Sequence, residues 1–158
     1  MDSFDRDILR RLTLDARISW TRLAEAVHLS PSAVQRRVEQ MVAAGVIDAF
    51  TLRLNDREVG NTVKAFVTVN VERQDTAGAE ALRAQLVGHE QVQSVHMVSG
   101  AIDFMLEVVA EDLESLARFL DDELLRMPGV RDATSSIVLK VVKPHQAVLG
   151  AAQSVRRT

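Results

Sequence analysis

The sequence predicts an α+β protein of two unlike parts: an N-terminal three-helix, winged-type helix-turn-helix domain and a C-terminal ferredoxin-like βαββαβ domain. Three observations predict it. Apolar residues recur at helical spacing through the first 45 residues, where two helix starts, at Ser19 and Ser30, share one capping grammar. After Gly45 the apolar period shifts to alternation, clearest in Val63 to Val71. From there strand-like and helix-like stretches follow in the order βαββαβ, the split βαβ arrangement with two helices on one face of an antiparallel sheet.

The first helix is read from Phe4, Ile8 and Leu12, with Leu9 beside them, and ends near Asp15 to Arg17. The second starts at Ser19, with Ile18 before the cap and Leu23 placed to close a hydrophobic staple. Its apolar side is Leu23, Ala24 and Val27. The third repeats the pattern: Leu29 before the cap, Ser30 as cap, Pro31 at the first helical position, and Val34 closing the staple. Gly45 ends it. Only Val27 to Leu29 separate the second and third helices, the tight connection of a helix-turn-helix.

Val46 to Leu54 reads as a strand, followed by a linker through Asn55, Asp56, Gly60 and Asn61. The expected divisions are therefore 1–50 for the helical domain, 51–61 for a linker strand and loop, 62–143 for the sheet domain and 144–158 for a tail. In Val63 to Val71 the odd positions face inward. Asp75 or Thr76 can cap a helix to about Val87, with Ala79, Leu82 and Leu86 inside. Strands at Val92 to Val98 and Asp103 to Val109 flank a connection of Ser99, Gly100, Ala101 and Ile102. Asp112 caps a last helix with Leu113, Leu116, Ala117, Leu120 and Leu124 on one side, stopped at Pro128-Gly129, and a final strand runs from about Thr134 to Val142. The sheet's second face would carry Phe66, Val138 and Val142, which two facing sheets would bury, so a homodimer is expected. The terminal GAAQSVRRT is expected to be loosely ordered.

Composition bounds the function. At 47% hydrophobic and 26% charged residues the 158-residue chain has the balance of a packed globular protein. It contains no cysteine, which removes disulfides, thiol nucleophiles and cysteine-ligated zinc. The charged start MDSFDRDILRR and the lack of any ~20-residue apolar run point to a cytoplasmic protein with no membrane partner. The net charge of −3 argues against indiscriminate binding to polyanions; residues 1–50 are balanced, with seven basic and seven acidic side chains. Enzymatic readings find no support. His28, His89, His96 and His145 are scattered without metal-ligand spacing, and GxSxG, P-loop and GxGxxG patterns are absent. Asp103 and Glu107 stand about 13 Å apart along one strand, too far to share a proton. No cofactor is implied.

The stretch LSPSAVQRRVEQMVAAG places Val34, Val38, Met41 and Val42 on one side of a helical wheel and Ser32, Arg36 and Gln40 on the other. Arg36 faces where a major groove would lie and can donate two bonds to guanine O6 and N7. Arg37 falls at the margin of the apolar face, placed to reach a phosphate or to lay its stem on the first helix. Ser32, Ala33 and Gln35 are the groove-side companions of Arg36, and Trp20 and Arg22 can meet the backbone across the groove. The plainer reading is that an Arg-Arg pair keeps a helix face solvated; two stapled helices with a short turn favour double-stranded DNA as partner.

FDRDILRRLTLDARISWTRLAEAVHLSPSAVQRRVEQMVAAGVIDAFTLRLN resembles the N-terminal domain of the Lrp/AsnC (leucine-responsive and asparagine regulator) family of prokaryotic transcription factors. VSGAIDFMLEVVA and MPGVRDATSSIVLKVVK resemble its C-terminal regulation-of-amino-acid-metabolism (RAM) domain. The resemblance implies a nucleoid-associated DNA-binding regulator, a homodimer formed through the sheets and assembling to octamers, and an amino-acid effector bound where dimers meet. It assigns that effector to Ser99, Gly100 and Asp103, with hydroxyls from Ser135 and Ser136; Ala133 stands where the family often has Thr. The chemistry fits, since Gly100 exposes backbone N–H groups to a carboxylate and Asp103 can pair with an ammonium. Without the resemblance, SGAID reads as a tight hairpin. The competing functional reading is a metabolite-binding oligomer whose helical domain has only an architectural, weakly sequence-specific role on DNA.

Overall fold

The structure, a computed structural model, describes residues 1–72, 76–145, 147 and 149. The described residues divide into two units, 1–52 with those from 143 onward, and those within 53–142.

The helical unit comprises α1 (Ser3–Leu14), α2 (Trp20–Val27) and α3 (Pro31–Ala43). Each start is chemically specified. Asp2 accepts the Asp5 N–H while the Asp5 carboxylate accepts the Asp2 N–H, a reciprocal box that satisfies two otherwise orphaned donors of α1. Ser19 accepts from Arg22 N–H and Ser30 from Ala33 N–H. The turn between α2 and α3 is a Schellman cap: Leu29 N–H reaches Ala24 C=O at 3.0 Å, and His28 adopts a left-handed φ of 56°. His28 is the one non-glycine residue with positive φ among the described residues. Imidazole tolerates this region where a β-branched side chain does not. His28→Val is therefore expected to cost roughly 1–2 kcal/mol of helical-unit stability, read as a lowered denaturation midpoint. Gly45, at φ 68°, ends α3 the same way, with Val46 N–H on Met41 C=O at 2.8 Å.

Ile8, Leu9, Leu12, Leu23, Ala24, Val27, Val34, Val38 and Met41 form the core of this unit, with Ile18, Leu29, Ile47 and Leu149 packed against it. Ile18 and Leu29 are the staple residues expected from the sequence. Val42 is a correction: assigned to the apolar side, it is 45% exposed, because the buried stripe drifts away from it in the last turn. The strand expected over Val46 to Leu54 does not form; no described strand pairs with it, and an extended segment without a partner has no ladder to satisfy its amides. Phe50, Leu52 and Leu54 are exposed along it. Residues 150–158, for which loose order is expected, lie outside the described residues, as does Asp75.

The sheet unit opens with a 3-10 turn (Asp56–Val59) and contains β1 (Val63–Val71), α4 (Thr76–Gly88), β2 (Val92–Met97), β3 (Phe104–Ala110), α5 (Leu113–Arg118) and β4 (Val130–Ile137). The antiparallel strand order is β2-β3-β1-β4. Ala65, Val67 and Val69 of β1 and Leu106 and Val108 of β3 are fully buried under the helices, joined by Leu82, Leu86, Leu116, Phe119 and Leu124. That is the inward odd face the alternation predicts.

Two elements differ from expectation. After six residues α5 widens into a π turn (Phe119–Glu123), then a 3-10 turn (Leu124–Arg126). Phe119, at the start of the π turn, is wholly buried, while in the regular turn before it Leu113 is 59% exposed and Ala117 lies on the surface. The last strand runs earlier than Thr134 to Val142. Its register pairs Val71 with Val130 and Ala65 with Ile137, and after Val138 N–H donates to Lys64 C=O the partner strand has nearly run out. Val142 is therefore 90% exposed beyond the strand end and off the sheet face, whereas Phe66 does lie on the open face, 43% exposed.

Several carboxylates are held below the usual aspartate range. For Asp2 the largest cause is the Asp5 N–H bond; for Asp56 it is the Lys64 ammonium, opposed by partial burial; for Asp112 it is the Ser115 N–H; for Asp132 it is the Arg131 guanidinium. Folded values below unfolded ones mean that each group contributes stability above its unfolded pKa and loses it as pH falls through the folded one. Thermal melts should hold steady down to about pH 5 and then fall progressively toward about pH 2.

Candidate functional site

The exposed side of α3 carries Ser32, Gln35 and Arg36, with Ala33 partly covered. Val34 is wholly buried, so Arg36, two residues and about 200° further round, is forced outward. The two adjacent arginines occupy different chemical worlds. Arg37 Nη1 donates to Asp2 Oδ2 at 2.8 Å and to Asp5 Oδ1 at 2.7 Å, and its guanidinium carbon lies 5.6 Å from the Phe4 ring centroid. The capping box of α1 and the third helix are thus tied by one cation. Arg36 has no hydrogen bond or ion pair among the described residues.

Gln35 Nε2 donates to Glu39 Oε1 at 2.9 Å, and Ser32 Oγ lies 3.2 Å from Ser30 Oγ, so both are pre-positioned within α3. Trp20, at the start of α2, is 38% exposed, and the Arg22 guanidinium is exposed and unpaired among the described residues. Sequence reasoning misses Arg17. It precedes the α2 cap, its backbone N–H is held by Asp15 Oδ1, and its exposed side chain has no partner among the described residues. An arginine outside an amphipathic pattern gives no sequence signal.

Arg37 is already committed to two carboxylates. Arg37→Met is expected to lower the melting temperature of the helical unit and to leave the salt dependence of DNA binding unchanged. A log–log salt slope shallower by about one would instead put Arg37 on a phosphate.

The second set of candidates lies in the sheet unit. Ser99 and Gly100 form the exposed tip of the β2–β3 connection, where Gly100 has φ 128°. Asp103 ends that connection. Its N–H donates to Val69 C=O at 3.1 Å, its C=O accepts from Val98 N–H at 3.0 Å, and its Oδ2 accepts from Val71 N–H at 2.9 Å. One carboxylate oxygen therefore fixes the end of β1, and the exposed residue presents the other. Ser135 and Ser136 are not brought to it. Ser135 is level with Val67 and Asp103 with about Asn70, giving ~10 Å along the strands and two strand spacings across. The register also puts Ser135 on the helix side, opposite Val67, and Ser136 on the open side, opposite Phe66. A single chain cannot present all five residues to one small molecule.

Two domain models match the chain: an AsnC-type helix-turn-helix domain over residues 1–42 and an Lrp/AsnC ligand-binding domain over residues 64–148. The chain belongs to the Lrp/AsnC family of transcriptional regulators. Similar to it is the transcriptional regulator AzlB of Bacillus subtilis, 33% identical over 90% of this chain and 91% of that protein. The leucine-responsive regulatory protein of Salmonella typhimurium is also 33% identical, over 90% and 87%. The crystal structure of the regulator NMB0573 from Neisseria meningitidis in complex with L-Met is similar at a TM-score of 0.89, with 32% identity over 95% of this chain and 96% of that one. As a Lrp/AsnC protein the chain is a DNA-binding transcriptional regulator with a ligand-binding domain, and not an enzyme. Among the described residues no helix is long and apolar enough to cross a membrane, and no cluster of His, Asp and Glu could hold a metal ion.

Proposed function

We propose that this regulator reads double-stranded DNA in the major groove through α3, with Arg36 as base reader, Ser32, Ala33 and Gln35 beside it, and Trp20, Arg22 and Arg17 on the phosphate backbone. The observation that carries the reading is the division of labour between Arg36 and Arg37: one guanidinium is exposed and unpaired among the described residues, the other is consumed by Asp2 and Asp5. An unpaired exposed guanidinium gives up only water, and no protein partner, when it meets guanine O6 and N7.

The ligand-binding domain takes a small amino acid at the Ser99–Asp103 hairpin, and copies of the chain complete the site. The ~14 Å gap between Asp103 and Ser135 within one chain supports this, because β4 hydroxyls can serve the hairpin only from another copy. The exposed Phe66 face of the sheet supports a homodimer, with octamers built from dimers. Effector binding at contacts between copies shifts the assembly and so couples to DNA binding.

A thermal-shift screen of the free amino acids tests this. A ligand at about 100 times its Kd raises native stability by about 2.7 kcal/mol. Asp103→Asn, which preserves the acceptor for Val71 N–H and removes the charge, should erase the shift. A shift unchanged in Asp103→Asn would remove Asp103 from the effector site.

A further inference from the structure

One carboxylate stands on the exposed side of α3 that carries Arg36. At about 100° per residue, Ser32, Glu39 and Gln35 all fall within about 100° of Arg36 on one flank, and all are exposed. Glu39 forms no ion pair among the described residues, although Arg36 lies three positions before it. An unpaired anion on a face that meets a polyanion works against binding, so its place there needs a reason.

Its one hydrogen bond among the described residues supplies that reason. Glu39 Oε1 accepts from Gln35 Nε2 at 2.9 Å, across one turn of helix. A carboxylate only accepts, so the Gln35 amide cannot turn its own oxygen toward Glu39: reversal would set lone pair against lone pair. One Nε2 hydrogen is spent, which leaves Gln35 with one N–H and the acceptor Oε1, neither claimed by a described residue. A donor beside an acceptor is the complement of the adenine edge, N7 and N6–H2. It does not match guanine, whose O6 and N7 both accept.

We propose that Gln35 reads adenine in the base pair next to the guanine taken by Arg36, and that Glu39 is its positioning residue. The carboxylate presents donor and acceptor in a fixed order, so adenine is accepted on one defined strand and thymine in its place is not. The inference rests on the reading that α3 enters the major groove with Arg36 outward. It adds to that reading a second base and a residue that touches no DNA. Gln35 and Arg36 differ by about 1.5 Å along the axis and about 100° around it, which sets them side by side across the groove. Glu39 sharpens specificity and lowers affinity together: its charge opposes every duplex alike, whereas its bond acts at one base pair.

The test starts from the half-site that wild-type protein enriches from a random pool. Duplexes carrying each of the four base pairs at every position are titrated at one fixed salt concentration with wild type, Gln35→Ala, Glu39→Ala, Glu39→Gln and Arg36→Ala. All three side chains are exposed, so circular dichroism should be unchanged throughout. Wild type should prefer A·T by about tenfold at a position adjacent to the Arg36-dependent G·C. Gln35→Ala should erase that preference and leave the G·C preference standing. Glu39→Ala should shrink it severalfold while binding every duplex more tightly, a split that a merely structural role does not produce. Glu39→Gln keeps an acceptor for Nε2 without the charge, and should recover part of the preference. Base preferences unchanged in Gln35→Ala, with the Arg36-dependent position intact, would overturn this inference alone. An unchanged preference in Glu39→Ala, or a loss at a position that Gln35→Ala does not touch, would overturn the positioning role. No base preference in wild type, or none lost in Arg36→Ala, would instead remove the α3 reading and this inference with it.

Discussion

Arg36→Ala is expected to remove about 1–3 kcal/mol of discrimination between cognate and unrelated duplex, roughly a 5- to 150-fold loss, while weak salt-sensitive binding to any duplex persists. The expectation follows from burial. Val34, Val38 and Met41 anchor α3 so firmly that its rotation is not adjustable, and the outward position falls to residue 36. A truncated Arg36 leaves no buried partner behind, so stability should stay within the ±0.5 kcal/mol typical of surface changes. Mobility shifts on cognate and scrambled duplexes at one fixed salt concentration separate the outcomes. Equal weakening on both would make Arg36 a phosphate ligand.

Phe119→Ala should be the most destabilising single truncation in the sheet unit, at about 3–5 kcal/mol. The ring is wholly buried, packs against the His89 ring at a centroid distance of 4.6 Å, and sits in the π turn that reorients the helix. His89 is itself fixed: Gln91 N–H donates to Nδ1, which leaves Nε2–H to bond Glu123 Oε2 at 2.7 Å. Removing Phe119 would open a cavity beside that bonded ring. Against a typical domain stability of about 5–15 kcal/mol, the loss is large enough to unfold much of the population at moderate denaturant. The chain's one tryptophan, Trp20, lies in the helical unit, whose core shares no residue with that of the sheet unit. Tryptophan fluorescence should therefore keep its midpoint while the far-ultraviolet transition moves down. Coincident shifts would show that the two cores unfold together.

The helical unit was legible in its sequence because its signals are local. Ser19, Ser30, Pro31 and Gly45 act on neighbours within four residues, and the staples at Ile18 and Leu29 need no knowledge of the rest of the chain. The order of elements, βαββαβ, was legible from the switch between alternating and helical spacing. What was not legible depends on distant partners. The ends of β4 are set by where β1 begins and stops, the missing strand at 46–54 by the lack of a neighbour, and Phe119 by a π turn that no period announces. The sites divide similarly. Arg36 follows from a helical wheel, but the capture of Arg37 by Asp2 and Asp5 joins residues more than thirty positions apart. Ser135 and Ser136 are neighbours in sequence, yet the strand register sends them to opposite faces.

Selection of bound duplexes from a random pool decides whether α3 reads DNA in a sequence-specific way. Wild-type protein, selected over several rounds at near-physiological salt, should enrich a two-fold-related site with half-sites spaced by whole turns of about 10 base pairs. Arg36→Ala should lose enrichment at defined positions within each half-site. Recovery of unenriched sequence by the wild type, with binding that only tracks salt, would contradict the account and leave an architectural DNA-binding protein in its place.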